Sequence, residues 1–166
     1  DEQRMSRLYE KFILEYYRKE HPRLNASASF IDWALDDGVS DGLPAMRSDI
    51  TLSVRGRALI IDAKYYASTM QSNFDKRTVH SGNLYQIFAY VKNKQIAFER
   101  AWESVEVSGM LLYAATDEDI QPDATYRMSG NRISATTLDL DRSFEEIRAQ
   151  LDGIAASLTA LPGEEP

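Results

Sequence analysis

The order of hydrophobic periods along the chain predicts a mixed α/β domain: helix, three-stranded meander, helix, strand, then an added C-terminal hairpin and helix. Three observations carry this expectation. Both ends show helical spacing, two β-like runs meet at a tight Arg55-Gly56 turn, and an apolar run at 109–115 follows a second helical pattern. A length of 166 residues fits one domain, expected over 1–161, with the Pro-Gly-Glu-Glu-Pro tail at 162–166 disordered.

Met5, Leu8, Tyr9, Phe12, Ile13, Tyr16 and Tyr17 recur at helical spacing and predict an amphipathic first helix that ends near His21-Pro22. Residues 30–35 read as a short strand, followed by an acidic, turn-rich stretch at 36–42. Residues 46–54 and 57–65 are the next two strands. After a polar loop, Ser81 is expected to cap a helix over 82–94 whose apolar face is Leu84, Ile87, Phe88 and Val91. Residues 109–115 read as a buried strand and 126–140 as a hairpin around Gly130-Asn131. Ser143 opens a Ser-Phe-Glu-Glu capping box, and Phe144, Ile147, Leu151, Ile154 and Leu158 form the stripe of the last helix.

Composition excludes several classes. No apolar run is long enough to span a bilayer. The amino end opens on charged residues and a helical pattern rather than a signal peptide, and the start at Asp1 reads as a domain excised from a longer chain. Cysteine is absent, which removes disulfides and thiolate metal sites and accords with a cytoplasmic protein. With only His21 and His80 as imidazoles, a metal site here has to be built from carboxylates and would take hard ions. A net charge of −7, from 19 basic and 26 acidic residues, argues against tight unaided binding to nucleic acid. A local basic patch remains open at 64–80, with Tyr65, Tyr66, Phe74, Lys76 and Arg77. A solvated loop explains that segment equally well.

Register sharpens the picture. If Arg55-Gly56 is a two-residue turn, Val54 pairs with Arg57 and Asp49 falls opposite Asp62. Alternation then puts Asp49, Thr51, Ile60, Asp62 and Lys64 on one face, and Ile50, Leu52, Leu59 and Ile61 on the other. Like charges directly opposite one another destabilise a strand pair unless something neutralises them. A divalent cation with oxygen ligands does so. The Lys64 ammonium, on the same face, can act on a water or on phosphate charge. A surface Asp-Lys pair is the plain alternative.

Ser48-Asp49 followed by Asp62-Ala63-Lys64 on the next strand resembles the PD-(D/E)xK nuclease signature, with Ser48 where the proline usually stands. The resemblance implies a restriction-endonuclease-like core. It further implies Mg²⁺, with Mn²⁺ able to substitute, held by Asp49, Asp62 and the Ala63 carbonyl, and Lys64 acting on the attacking water. Gln86 and Tyr90 match the Q-x-x-x-Y motif of RecB-like members, on a polar stripe with Asn83 and Lys94. Glu10 matches a glutamate often found near the metal.

Longer words, Leu8-Tyr9-Glu10-Lys11-Phe12, Leu43-Pro44-Ala45-Met46-Arg47-Ser48-Asp49-Ile50, Ile60-Ile61-Asp62-Ala63-Lys64-Tyr65-Tyr66 and Asn83-Leu84-Tyr85-Gln86-Ile87-Phe88-Ala89-Tyr90, are similar to the nuclease region of the McrC family. McrC proteins are the cleavage subunits of McrBC-type restriction systems, which cut DNA bearing modified cytosine. That implies DNA and an McrB-like AAA+ GTPase as partners, no membrane, and pairing of two nuclease domains for a double-strand break. The rival readings are a RecB-like repair nuclease and a catalytically weak, nuclease-like docking module.

Overall fold

The Asp1 carboxylate accepts the Arg4 amide at 2.7 Å and so caps α1, Glu2–Glu20. The helix stops where Pro22 cannot continue it, and a single 3-10 turn, Pro22–Leu24, leads the chain away. Tyr9, Ile13, Tyr16 and Tyr17 are its buried face. Met5 and Leu8, expected on that stripe, are 41% and 52% exposed, because the helix reaches the core only from Tyr9 onward. Burying tyrosines leaves hydroxyls to satisfy. Tyr9 donates to Leu112 O and Tyr17 to Leu151 O, which ties α1 to a strand and to the last helix. The computed structural model describes residues 1–66, 70–73 and 76–160, so the expected disordered tail and the Phe74 part of the basic patch fall outside it, as do the side chains of Lys76 and Arg77.

The strand expected over 30–35 is only β1, Phe30–Ile31, paired antiparallel with β2, Met46–Arg47. Beyond Ile31 the chain's polar groups find other partners: Trp33 Nε1 donates to Pro44 O and the Ala34 amide to Asn93 Oδ1. The strand expected over 46–54 is split, because Ser48 and Asp49 leave the ladder between β2 and β3, Ile50–Val54. β4, Arg57–Lys64, pairs with β3 in the register anticipated, from Ile50↔Ile61 to Val54↔Arg57. At the turn Arg55 takes φ +55°, while Gly56 is needed for space. A Cβ there would stand 2.1 Å from Ser104 O.

Where a polar loop was expected, β5, Met70–Asn73, and β6, Lys76–Val79, form a separate antiparallel hairpin. Its sequence has no apolar alternation to announce it. α2, Ser81–Glu99, is capped by His80 rather than Ser81, without a side-chain hydrogen bond, and runs past the expected end at 94. β7, Glu106–Ala114, returns parallel to β4, pairing Asp62 with Leu111 and Lys64 with Tyr113.

β8, Ala124–Met128, and β9, Asn131–Leu138, turn on Ser129-Gly130, both at positive φ, one residue earlier than expected. Asn131 belongs to the strand because its buried amide donates to Val107 O and Gln95 Oε1. This hairpin is no appendage, since β9 lies parallel to β7 and completes a five-stranded sheet in the order β3-β4-β7-β9-β8. α3, Phe144–Thr159, opens with the expected Ser143–Glu146 capping box; Phe144, expected on its stripe, precedes the inward turn and is 58% exposed.

The sheet is covered on both faces. Ile50, Leu52, Leu59, Ile61 and Ala63 pack with α1 and α3, and Ala58, Ile60, Leu111 and Tyr113 pack with α2. Gly109 lets α2 approach β7. A Cβ there would lie 2.7 Å from Ile87 Cγ1 and 2.8 Å from Val91 Cγ2. Gly109→Val is therefore expected to cost about 1–3 kcal/mol of stability through overpacking, measured by urea unfolding. No helix among the described residues is long and apolar enough to cross a membrane.

α1 and α3 are also joined by Asp152, which accepts from Tyr16 OH at 2.6 Å and pairs with His21 Nε2 at 2.7 Å. Burial alone would raise the Asp152 pKa, but Tyr16, His21 and Arg148 together hold it below the ordinary value. A carboxyl with a lowered folded pKa contributes stability above its unfolded pKa and loses it as pH falls through the folded one. Asp152→Asn is therefore expected to be less stable than wild type at neutral pH, with the gap closing below about pH 4. Unfolding curves across that range check this; a gap that persists in acid contradicts it.

Candidate active site

The two antiparallel strands end where Asp49 and Asp62 meet. Asp62 is the sixth residue of β4, on the α2 side with Ala58 and Ile60, and is only 6% exposed. Asp49 sits in the bend just before β3. Its Oδ2 accepts the Ala63 amide at 2.8 Å, so the carboxylate takes the place of the next ladder acceptor. Within a strand the N–H and C=O of one residue point toward the same edge. The Ala63 carbonyl therefore faces the Asp49 side beyond the last rung.

Four hydroxyl residues hold the bend. Ser48 Oγ lies 2.7 Å from Thr51 Oγ1 and accepts the Ser29 amide, while the Ser27 and Thr51 backbones bond reciprocally. Both Ser48 and Thr51 are buried.

The Asp49 pKa is pushed up to about 8, first by burial, then by the Asp62 carboxyl within hydrogen-bonding reach and by Glu10. With both acids ionised, Asp62 Oδ2 is buried without a hydrogen-bond donor. Lys64 Nζ lies 3.1 Å from Asp62 Oδ1 and donates to Gln86 Oε1 at 3.4 Å. Burial works to lower the Lys64 pKa, but Asp62, Tyr66 and Asp49 raise it overall, so the side chain is an ammonium. Gln86 in turn donates to Tyr90 OH at 3.0 Å.

The structure thus brings Asp49, Asp62, Lys64, Gln86 and Tyr90 together. The polar stripe of α2 meets the site at Asn83, Gln86 and Tyr90, with Gln86 itself exposed, whereas Lys94 lies over the Phe98 ring. Glu10 is half-buried on α1, its pKa raised by burial and by Asp62 against the opposing Lys64 and Arg7. Among the described residues, no group of three or more Asp, Glu, His or Cys side chains is gathered closely enough to hold a metal by itself. A cation here would need the two aspartates together with backbone oxygen or water.

Sequence reasoning missed two features. Tyr66 OH donates to Asn83 Oδ1 and Asn83 Nδ2 to Tyr113 OH, so the buried Tyr113 joins the site from β7. The Ser48–Thr51 pair was equally unforeseen; its only advance signal was the hydroxyl-rich composition of 27–29 and 48–53.

A family model described as "McrBC 5-methylcytosine restriction system component" matches residues 3–113, a segment that contains every residue of the site from Glu10 to Tyr113. The chain is also 30% identical over 154 residues to the "Type IV methyl-directed restriction enzyme EcoKMcrBC" of Escherichia coli (strain K12). That match covers 91% of this chain and 42% of the relative, so the chain spans less than half the relative's length.

Because the Asp49 pKa is raised, the folded protein holds a proton between about pH 4 and about pH 8 that the unfolded chain has released. Stability is then lost as pH rises through that window in the absence of divalent cations. Asp49→Asn is expected to flatten this slope in chelator-containing urea titrations; parallel curves for the two proteins would contradict it.

Proposed function

Because the chain belongs to the McrBC family of 5-methylcytosine restriction system components, we propose that it is the DNA-cutting domain of such a system, a PD-(D/E)xK nuclease that hydrolyses phosphodiester bonds. The observation that carries this reading is the meeting of a buried and a half-buried aspartyl carboxyl with an ammonium 3.1 Å from one of them.

The donor set fits a hard divalent cation, Mg²⁺ with Mn²⁺ as substitute. Once Asp49 is ionised, Asp62 Oδ2 is a buried oxygen with no donor, and a cation would relieve the repulsion that the Asp49 proton otherwise neutralises. Asp49, Asp62 and the Ala63 carbonyl would hold the ion, with Glu10 close by. When bound, such an ion supplies Lewis-acid stabilisation of negative charge on the phosphoryl group.

The chain's own residues supply the rest. Lys64, kept protonated, donates to charge that develops on phosphate or on the attacking water rather than serving as the base. Gln86 fixes the Lys64 ammonium and Tyr90 fixes Gln86, so the ammonium costs little to orient at the moment of reaction. Selection of methylated DNA belongs in this reading to a GTPase partner of the McrB kind, in the cytoplasm. Two nuclease domains acting on opposite strands would give a double-strand break. The net charge of −7 explains why delivery by a partner matters.

Nicking of supercoiled plasmid in Mg²⁺ or Mn²⁺ tests the reading. Asp62→Ala and Lys64→Ala are each expected to lose about 100-fold or more in rate. Equal nicking by wild type and variants would show the activity, if any, to come from elsewhere.

A further inference from the structure

A cleft of about 370 Å³ opens beside α1 and leads to Asp49. It carries Arg7 and Lys11 from α1 and Arg47 from β2, and it includes Glu10 and Ser48. Arg7 and Lys11 are four residues apart and so share a helix face. All three cations are exposed, and among the described residues none of them forms an ion pair. That is unusual company in a chain where acids outnumber bases by seven. Arg7 is near enough to the centre to lower the Glu10 pKa. Arg47 is set in place by a hydrogen bond from Nε to Ala28 O and by its position 5.3 Å over the Phe30 ring.

We propose that this cleft is the track for the nucleic-acid strand beside the cleaved bond, with Arg7, Lys11 and Arg47 holding its flanking phosphodiester groups. The proposal rests on the reading of Asp49 and Asp62 as a phosphodiesterase centre. A phosphodiester chain matches what the cleft offers. Guanidinium groups meet phosphate oxygens in two-pronged hydrogen bonds, and Lys11 adds a point charge. Arg47 loses little freedom on binding, because Phe30 and Ala28 already restrict it. The cations also offset, at the mouth of the site, the repulsion that Glu10, Asp49 and Asp62 exert on an approaching polyanion. An acidic protein can in this way have a locally attractive approach, and it ends at Asp49.

The test is fluorescence anisotropy of a labelled DNA duplex, with Ca²⁺ present, over a series of salt concentrations. The triple variant Arg7→Ala/Lys11→Ala/Arg47→Ala is expected to bind about ten-fold or more weakly, with the salt slope reduced by roughly 0.9 for each phosphate left without its cation. A control that removes the same charge elsewhere, Lys19→Ala/Arg23→Ala/Arg100→Ala, is expected to bind as wild type does. Calorimetry with Mn²⁺ is expected to give the same heat for both variants and wild type, which shows the aspartates intact.

Equal weakening in both triple variants overturns the proposal, since bulk charge would then explain it. Unchanged duplex binding in the first variant overturns it too, as does absence of wild-type binding. If wild type nicks plasmid in an Asp62-dependent way while the cleft variant binds and cuts equally well, only the cleft assignment fails. If wild type shows no Asp62-dependent nicking, the nuclease reading itself fails.

Discussion

Two carboxyl groups are forced together at the end of a strand pair that cannot yield. β4 is buried along six consecutive residues, from Ala58 to Ala63, with α2 on one side and α1 and α3 on the other. Asp62 is only 6% exposed and cannot swing away without unpacking that strand, and Asp49 is fixed to the Ala63 amide. Repulsion between them has to be met by a proton, by Lys64 or by a cation. Everything chemical about the site follows from this constraint: the raised Asp49 pKa, the unpartnered Asp62 oxygen and the ammonium drawn to Asp62.

The remainder of the fold serves to hold that end of the sheet. β4 and β7 run parallel, so their carboxyl ends lie side by side, and the chain between them delivers the start of α2 there. Ligands of open α/β sheets commonly bind outside such strand ends. Gly109 permits α2 to settle against β7, which puts Gln86 within reach of Lys64 and Asn83 within reach of Tyr113. The breach at Ser48-Asp49 is part of the same design. A strand continuing through it would bring the Ser48 carbonyl, rather than the Asp49 carboxylate, up to the Ala63 amide. Backbone strain is not what holds this position; buried hydroxyl bonds among Ser48, Ser29 and Thr51 are.

Much of this was legible in the residues themselves. The turn at Arg55-Gly56 determined the register, and with it the apposition of Asp49 and Asp62, because period-2 alternation leaves no freedom once one pair is known. Helical periodicity located α1, α2 and α3, and the capping box marked the start of α3. What stayed hidden depended on tertiary partners. The interruption at Ser48 arises from hydrogen bonds to Ser29, nineteen residues away. The β5–β6 hairpin is held by main-chain pairing that polar side chains do not signal. The turn at Ser129-Gly130 moved by one residue because Asn131 is claimed by Val107 and Gln95. The outward positions of Met5, Leu8 and Phe144 reflect where each helix first touches the sheet, which periodicity alone does not reveal.

Whether Asp49 and Asp62 share a divalent cation is measured most directly by anomalous diffraction from a crystal equilibrated with Mn²⁺ near neutral pH. An anomalous peak between the Asp49 and Asp62 carboxyls, lost in a crystal of Asp49→Asn, is the result expected. A crystal with both side chains well ordered, Mn²⁺ in excess and no peak between them would contradict a shared cation at this pair.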